Sequence, residues 1–336
     1  MKIFKNKFFL FILTLLVIIG GFFYFRYQVY HSHGKNKEST AFKITKGENN
    51  TTVSGRLKEE GLISGKVYFY YYMRSQNLLG KILPGDYEFS GRMTIPEIAQ
   101  MITRERENYI KITFPEGWGS VKMADRLKEN NLNGDEFLKL VKEPEKFKER
   151  YGFLNDPEIK SLEGYLFPDT YFFVPGSSAE KIIWKMLDNF QDKLDEKIIS
   201  DIKIQNKSLN EIMTMASIIE MEVRSAEDRG VVSGIFWNRI SIGQPLQSCA
   251  TLAYILGVNK KQYSYEDTRT DSPYNTYINK NLPPGPISNP GLASIKAAVY
   301  PQKTAYMFFL SDPETGKTYF AKTAEEHNLN KVNHGL

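Results

Sequence analysis

Cysteine and histidine are both scarce in this sequence of 336 residues, which contains one cysteine and four histidines. The single cysteine, Cys249, can form no disulfide within the chain and no cysteine cluster around a metal. A cysteine nucleophile would need a histidine nearby, but the four histidines lie near the two ends of the chain, at His31, His33, His327 and His334. We therefore expect Cys249 to be a buried and inert thiol.

Three common catalytic motifs are also missing. The sequence contains no HExxH pair, no Walker loop and no GxSxG turn. Zinc metalloprotease, P-loop nucleotide hydrolase and α/β-hydrolase chemistry therefore have no support in the sequence. No metal site and no organic cofactor are predicted.

The body of the chain lacks the basic surplus that is typical of nucleic-acid binding proteins. The whole chain has a formal charge of +5, and residues 1–40 account for all of it. Residues 41–336 are therefore net neutral, and we expect no nucleic-acid partner.

What the sequence does contain begins with residues 8–25, a run of 18 residues without a charged side chain. This run is just long enough to cross a bilayer, and aromatic residues crowd its far end as interface anchors do. No small-residue cleavage site follows, which favours an uncleaved signal anchor over a removed signal peptide. A buried core helix is the alternative. Lysine and arginine on the two sides are nearly balanced, so charge alone does not orient the anchor.

A weak internal repeat follows the anchor. Residues 42–59 and 110–129 each read as a short alternating strand, a glycine turn and an amphipathic helix ending in Arg-Leu-Lys-Glu. Between the two copies, residues 83–89 predict a turn and a strand, and residues 95–102 predict a short helix. The expected element order is that of a small α/β module.

These patterns divide the chain into four parts. Residues 1–25 form a short N-terminus, which at seven residues is easily left in the cytoplasm, and the anchor. The polar residues 26–40 form a spacer off the membrane. Residues 41–112 form the small module, and residues 113–336 form a larger domain of mixed helices and strands.

The larger domain is organised around residues 209–238, which are expected to form a helix and the start of the next element. Apolar residues recur in the first part at the spacing of one helical face, and Ser208 followed by Glu211 predicts a capping box at its start. Glu220 interrupts this pattern, one turn after Ala216 and one turn before Val223. A carboxyl group at the edge of an apolar face loses water, which raises its pKa. A general acid that works near neutral pH needs a pKa of about 6–7. The alternative is an ordinary surface ion pair with Arg224, four residues further on.

Two other stretches have the composition of a binding site. Glu163 lies beside aromatic residues and a glycine, so it could line a cleft or accept hydrogen bonds from backbone donors. Residues 271–291 form a long loop rich in proline, glycine, asparagine and tyrosine, and such loops are usually functional or disordered. Aromatic faces and amide groups together suit a sugar, and four prolines between residues 283 and 290 lower the entropy lost on binding.

Four blocks of the sequence occur in the order SLEGYLFPDTYFF, MASIIEMEVRSAEDRGVVSGIFWNRI, PLQSCATLAYILG and SPYNTYINKNLPPGPISNPGLASIKAAVYP. Together they resemble the YceG-like family of endolytic murein transglycosylases, and the resemblance covers about residues 40–330. It implies an α+β fold with a single N-terminal transmembrane helix, a small LysM-like α/β module and a mixed α+β YceG-like catalytic domain. Many relatives have an aspartate where this chain has Cys249, so a required aspartate at that position is in doubt.

The resemblance implies that Glu220 is the catalytic acid and base. The candidate substrate-binding residues, chosen from the resemblance and from residue types that suit sugars, are Glu163, Asn238, Arg239, Gln247, Ser248, Tyr274, Asn275, Thr276, Tyr277, Pro284, Gly285 and Asn289. The implied substrate is the peptidoglycan glycan strand outside the plasma membrane, with penicillin-binding protein synthases as candidate partners.

A lytic transglycosylase can use one carboxyl group, whereas a hydrolysing glycosidase usually uses two. The first alternative is therefore a muramidase, in which Glu163 or Glu222 helps water to attack. The second is a glycan-binding scaffold of wall synthesis with no activity of its own.

Overall fold

The computed structural model describes residues 2–33, 39–103, 109–260, 262–312 and 315–335, with side chains from residue 13 onward. The described residues divide into two units, Met1–Tyr109 and Ile110–Leu336. The sequence pattern places the division three residues later, after residue 112.

Among its described residues, the first unit contains four helices and one antiparallel pair of strands. In chain order they are α1 (Lys2–Tyr30), β1 (Ser39–Ile44), α2 (Asn50–Glu59), α3 (Lys66–Ser75), β2 (Gly85–Ser90) and α4 (Ile95–Thr103). The expected strand and helix between the repeat copies are confirmed as β2 and α4. The identity of this unit as a LysM-like module stays a prediction.

Helix α1 runs further than the predicted anchor. Among the described residues, α1 is the one helix that is long and apolar enough to cross a membrane, and the apolar stretch covers Leu13–Tyr30. The first residues of the predicted spacer are therefore helical. One of them, Val29, is 1% exposed and packs in the core of the first unit. Residues 34–38 of the spacer lie outside the described residues.

The second unit contains nine further helices and four strands among its described residues. They are β3 (Ile110–Thr113), α5 (Ser120–Glu129), α6 (Gly134–Val141), β4 (Thr170–Phe173), α7 (Ala179–Lys193), α8 (Glu196–Ile204), α9 (Leu209–Glu222), α10 (Ala226–Ser241), α11 (Cys249–Leu256), α12 (Leu292–Val299), β5 (Phe308–Ser311), β6 (Thr318–Ala321) and α13 (Ala324–His334). The α+β class is confirmed. Each strand pairs with one other, β3 with β4 and β5 with β6, both antiparallel.

Helix α9 is the centre of this unit. It begins with the predicted capping box, in which Ser208 and Glu211 exchange hydrogen bonds between side chain and backbone. The one-sided apolar face expected from the sequence is too narrow, because α9 is buried on nearly all sides from Ile212 to Ile219. Helices α8, α10, α11 and α12 all pack against it. A helix surrounded in this way holds the residues at its C-terminal end, including Glu220, in fixed positions.

Candidate active site

Glu220 lies in the last turn of α9, and its side chain is 6% exposed. Its partner is Arg229 on α10, whose guanidinium nitrogen donates to Oε1 at 3.0 Å. The alternative of an ion pair with Arg224 is therefore wrong, and Arg224 is exposed. The other oxygen, Oε2, accepts a hydrogen bond from the backbone N–H of Gly291 at 3.0 Å. Both oxygens of Glu220 are thus held by donors from two different elements.

A second carboxyl group, that of Glu116, lies beside Glu220. Glu116 belongs to the turn between β3 and α5, and the next residue, Gly117, packs so closely that a Cβ there would lie 3.5 Å from Cγ of Glu220. A Cβ at Gly291 would lie 1.9 Å from Oε1 of Glu116. Glu116 is exposed as a residue, but partial burial of its carboxyl group, and then the charge of Glu220, raise its pKa. Glycine at position 291 therefore leaves room for one carboxyl group while its N–H binds the other.

Glu163 forms a separate centre. The backbone N–H of Ser120 donates to both of its oxygens, the Ser120 hydroxyl donates to Oε2 at 2.6 Å, and the side-chain amide of Asn289 donates to Oε1 at 2.6 Å. Burial raises the pKa of Glu163, and these hydrogen bonds oppose the rise. The sequence left two roles open for Glu163. It accepts hydrogen bonds from protein donors, and it also lies on the wall of a cavity.

Asn289 joins the two centres. Its side-chain oxygen accepts from the N–H groups of Gly164 and Leu166, its amide donates to Glu163, and its backbone carbonyl accepts from Gly117. Two residues later in the same loop, Gly291 binds Glu220. The position of the Glu220 site therefore depends on a loop that is fastened at Glu163.

Glu222, on the other side of α9, is held by α11. It accepts from the Ser248 hydroxyl and from the backbone N–H of Ala250. Burial raises the pKa of Glu222, while these bonds and the charge of Arg239 oppose the rise. These contacts join the C-terminal end of α9 to the start of α11.

Several predicted substrate-binding residues hold the protein together in this structure. Arg239 donates to the carbonyls of Leu246 and Met307, and Asn238 donates to the carbonyl of Thr304. Two members of the long loop are likewise fully buried. Asn275 donates to the carbonyls of Thr268 and Thr270, and the Thr276 hydroxyl accepts from the N–H of Ser248.

Another part of the predicted set lines a cavity of about 290 Å³. Glu163, Tyr274, Pro284 and Gly285 lie on its wall, and the ring of Tyr254 packs on that of Tyr274 with centroids 4.9 Å apart. A wall of aromatic rings with amide and carboxyl groups has the chemistry to contact a sugar through both its C–H faces and its hydroxyls.

The remaining predicted residues lie just before α11 or contact its first residue. Gln247 is exposed, with a φ of 52°, and its N–H donates to the carbonyl of Thr276. The Tyr277 hydroxyl lies 3.1 Å from the sulfur of Cys249. The expectation of a buried thiol is wrong, because Cys249 is exposed at the first position of α11. Partial burial still raises the pKa of the thiol through desolvation, and the hydrogen bond with Tyr277 opposes the rise.

Glu116, Arg229 and Gly291 are not among the site residues predicted from the sequence. Glu116 lies in the second repeat copy, where its Pro-Glu-Gly turn was interpreted only as a glycine turn. Arg229 is nine residues from Glu220, beyond the spacing at which helix residues pair. The turn between α9 and α10 brings it back, and no local pattern in the sequence encodes that distance.

Comparison with known proteins identifies the relatives of this chain. The profile of the YceG-like family matches residues 42–333. The chain is 32% identical, over 94% of its length and 90% of the relative's, to a Bacillus subtilis protein named endolytic murein transglycosylase. A Streptococcus pneumoniae protein of the same name is 28% identical, and the match covers 96% of this chain and 65% of that longer protein.

A solved structure is also similar. The crystal structure of a YceG-like protein from Listeria monocytogenes superimposes with a TM-score of 0.60 and 35% sequence identity. The match covers 88% of this chain and 100% of the Listeria chain.

Proposed function

The chain belongs to the YceG-like family, and from this membership and the geometry around Glu220 we propose that it is an endolytic murein transglycosylase. It is an enzyme of the lytic transglycosylase class, as the names of its relatives indicate. The observation that carries the residue assignment is the position of Glu220, a nearly buried carboxyl group held from both sides by Arg229 and Gly291.

The proposed reaction cleaves the β-1,4 bond between N-acetylmuramic acid and N-acetylglucosamine. Glu220 protonates the glycosidic oxygen as the bond from C1 breaks, and it becomes a carboxylate. It then takes the proton of the muramic C6 hydroxyl, whose oxygen forms a bond to C1 and closes a 1,6-anhydro ring. The proton that Glu220 lost is recovered, and no water is consumed. The internal hydroxyl is favoured over water by its high effective concentration.

The substrate would lie along the loop that ends at Gly291. Tyr274, Pro284 and Gly285 line the cavity at one end of this loop, and Gly291 contacts Glu220 at the other. The intervening residues are stiffened by prolines and by the bond from the N–H of Ile287 to the Ser217 hydroxyl of α9. A fixed wall of this kind loses little entropy when it binds a sugar chain.

The apolar helix α1 suits a single-pass anchor that holds the rest of the chain outside the plasma membrane. A body in that location would meet glycan strands as synthases make them, and endolytic cleavage there would end strand elongation. The first unit would serve as a LysM-like glycan-binding module or as a spacer. Binding of insoluble peptidoglycan by the full chain and by a chain lacking residues 40–109 separates these two roles.

Hydrolysis is the second candidate, and one observation favours it. A muramidase needs a second carboxyl group to activate water. Glu163 and Glu222 are both occupied by protein donors, but Glu116 lies beside Glu220 and is exposed.

Mass spectrometry of the products decides between the two reactions. Purified enzyme is incubated with uncrosslinked glycan strands, and the ends of the fragments are analysed. Ends in 1,6-anhydro-muramic acid, lighter by one water, support the transglycosylase. Reducing muramic ends as the main product would overturn it in favour of a muramidase, and intact strands would leave only the scaffold.

A further inference from the structure

Glu116 and Glu220 approach one glycine from two sides. The N–H of Gly291 donates to Oε2 of Glu220 at 3.0 Å, while the space of its missing Cβ is filled by the carboxyl group of Glu116. The turn that carries Glu116 is fixed by the bond from the N–H of Gly117 to the carbonyl of Asn289 at 2.8 Å. The backbone at Gly117 and Gly291 therefore holds the two carboxyl groups next to each other.

Their surroundings differ. Glu220 has two hydrogen-bond donors, whereas no hydrogen bond or ion pair to Glu116 is found among the described residues. Burial, the charge of Glu220 and the charge of Asp169 raise the pKa of Glu116, and two cations, Arg229 and Lys193, oppose the rise. Both carboxyl groups reach the same glycine, and the charge of Glu220 acts on Glu116. This arrangement allows a proton to pass between neighbouring carboxyl groups.

We propose that Glu116 and Glu220 hold one proton between them, and that this pair supplies and recovers the proton of the reaction. The proposal rests on the proposed function. The proton leaves the pair for the glycosidic oxygen when the C1–O bond breaks. The pair, then doubly ionised and facing Arg229, takes one proton from the hydroxyl that attacks C1. Proton and charge balance over the cycle, and Glu116 is the member open to solvent.

The test is the pH dependence of kcat on soluble uncrosslinked glycan strands. A pair that works with one proton gives a bell-shaped profile for the wild type. Glu116→Gln should lower kcat about 10²-fold with little change in KM, and its profile should lose the fall at low pH. Glu227→Gln removes the same charge from an exposed position on α10. This variant should keep both the kcat and the bell-shaped pH profile of the wild type.

Glu116→Asp keeps a carboxyl group and should retain both limbs at a reduced rate, which separates chemistry from folding. The proposal would be overturned if Glu116→Gln had the same kcat and the same bell-shaped pH profile as Glu227→Gln. That outcome leaves the proposed function intact if Glu220→Gln is inactive. A wild type that cleaves no strands would overturn both.

A different observation concerns the first unit and the membrane. A bilayer core of about 30 Å takes about 20 helical residues, so an apolar segment that starts at residue 8 leaves the bilayer near residue 27. Helix α3 packs beside this same level of α1, because the ring of Phe25 lies 5.7 Å from that of Tyr68 and 6.3 Å from that of Tyr71. Tyr24 also contacts Tyr68, with centroids 6.4 Å apart.

The outer face of α3 is apolar and aromatic. Val67, Tyr70 and Tyr71 are 60%, 40% and 52% exposed. Exposed cations, Lys66 and Arg74, lie at the two ends of the helix. Tyrosine is enriched where a membrane meets water, since its ring is apolar and its hydroxyl is polar.

We infer that α3 lies in the headgroup layer of the bilayer crossed by α1, with Val67, Tyr70 and Tyr71 in contact with phospholipid. Because Val29 is buried in the core of this unit, the anchor and the unit form one body. The unit would therefore lie against the membrane surface at a fixed height.

Fluorescence quenching by spin-labelled phospholipids tests this contact in the full chain. Cys249→Ser removes the one native thiol, and single labelled cysteines are then placed at Tyr70, Tyr71, Asp86 and Leu16 in phosphatidylcholine–phosphatidylglycerol vesicles. Positions 16, 70 and 71 should be quenched, the last two by labels near the headgroup, and the exposed position 86 should not. If position 16 is quenched but positions 70 and 71 are quenched no more than position 86, the proposed contact of α3 with lipid is wrong and the anchor stands. No quenching at 16 would overturn both.

Discussion

The Glu163 and Glu220 centres use the same residue type for different purposes. Glu163 is buried and receives only neutral donors, from Ser120 and Asn289. Glu220 receives one charged donor and one backbone donor, and a second carboxyl group adjoins it. The carboxyl group that is saturated by neutral donors fixes a loop, whereas the proposed proton exchange uses the carboxyl group that has another carboxyl group beside it.

The difference also shows how the two centres depend on each other. The Glu163 centre holds Asn289, and Asn289 holds the turn of Glu116 through the N–H of Gly117. Damage at Glu163 should therefore appear first as lost stability, and damage at Glu220 as lost catalysis.

The largest effect is expected from Glu220→Gln. The amide keeps the size of the side chain but cannot give and take a proton, so cleavage should fall at least about 10²–10⁴-fold. The measurement is the release of soluble fragments from glycan strands, with circular dichroism to check the fold.

Glu222→Gln is the matched control on the same helix. The amide oxygen of the variant can still accept from Ser248 and Ala250, so its activity should stay within a few fold of the wild type. Near-normal cleavage by Glu220→Gln would contradict the assignment of the catalytic residue.

Gly291→Ala should have the next largest effect. The new methyl group would need the space of the Glu116 carboxyl group, and a shift of about 1 Å in a catalytic group can cost about 10²-fold in rate. We expect kcat to fall by this order while the melting temperature changes little, since the surrounding helices need not move.

The control is Gly230→Ala on α10, where a Cβ would meet only ordinary contacts at 3.6 Å or more. Equal rates for the two alanine variants would show that the close approach at position 291 does not matter to catalysis.

Glu163→Ala should act on stability. It leaves the Ser120 hydroxyl and one of the two N–H groups of the Asn289 amide without an acceptor, while the amide keeps its bond to the carbonyl of Trp118. The loss of a buried acceptor costs about 1–3 kcal/mol. Urea unfolding should show this loss. Glu163→Gln should lose less, because its oxygen can accept from Asn289 and its NH₂ group can donate to the Ser120 hydroxyl. A Glu163→Ala variant with the same free energy of unfolding as the wild type would contradict the structural role of Glu163.

The smallest effect is a pH dependence. The pKa of Glu163 is raised in the folded state, so the folded protein binds more protons than the unfolded chain between the ordinary and the raised pKa. Stability should therefore fall as the pH rises through that interval, by about 1.4 kcal/mol per unit of pKa difference. Unfolding of Glu163→Gln over the same pH range should lack this component, and parallel curves for the two proteins would contradict it.

Much of the architecture is local and could be predicted from the sequence. The capping box at Ser208, the helical spacing of α9 and the turns after β1 and β3 each depend on residues only a few positions apart. The four family blocks added the α+β class and drew attention to Glu220.

The pairing of side chains could not be predicted in the same way. Glu220 meets Arg229 and not Arg224, since α9 ends at Glu222 and the chain turns before α10 begins. The meeting of Glu116 with Gly291 joins positions 175 residues apart. The sequence alone determined which segments become helix or strand, because hydrogen bonding and side-chain sterics act over a few residues. The tertiary structure decided which carboxyl groups are neighbours, because that depends on how distant segments pack around α9.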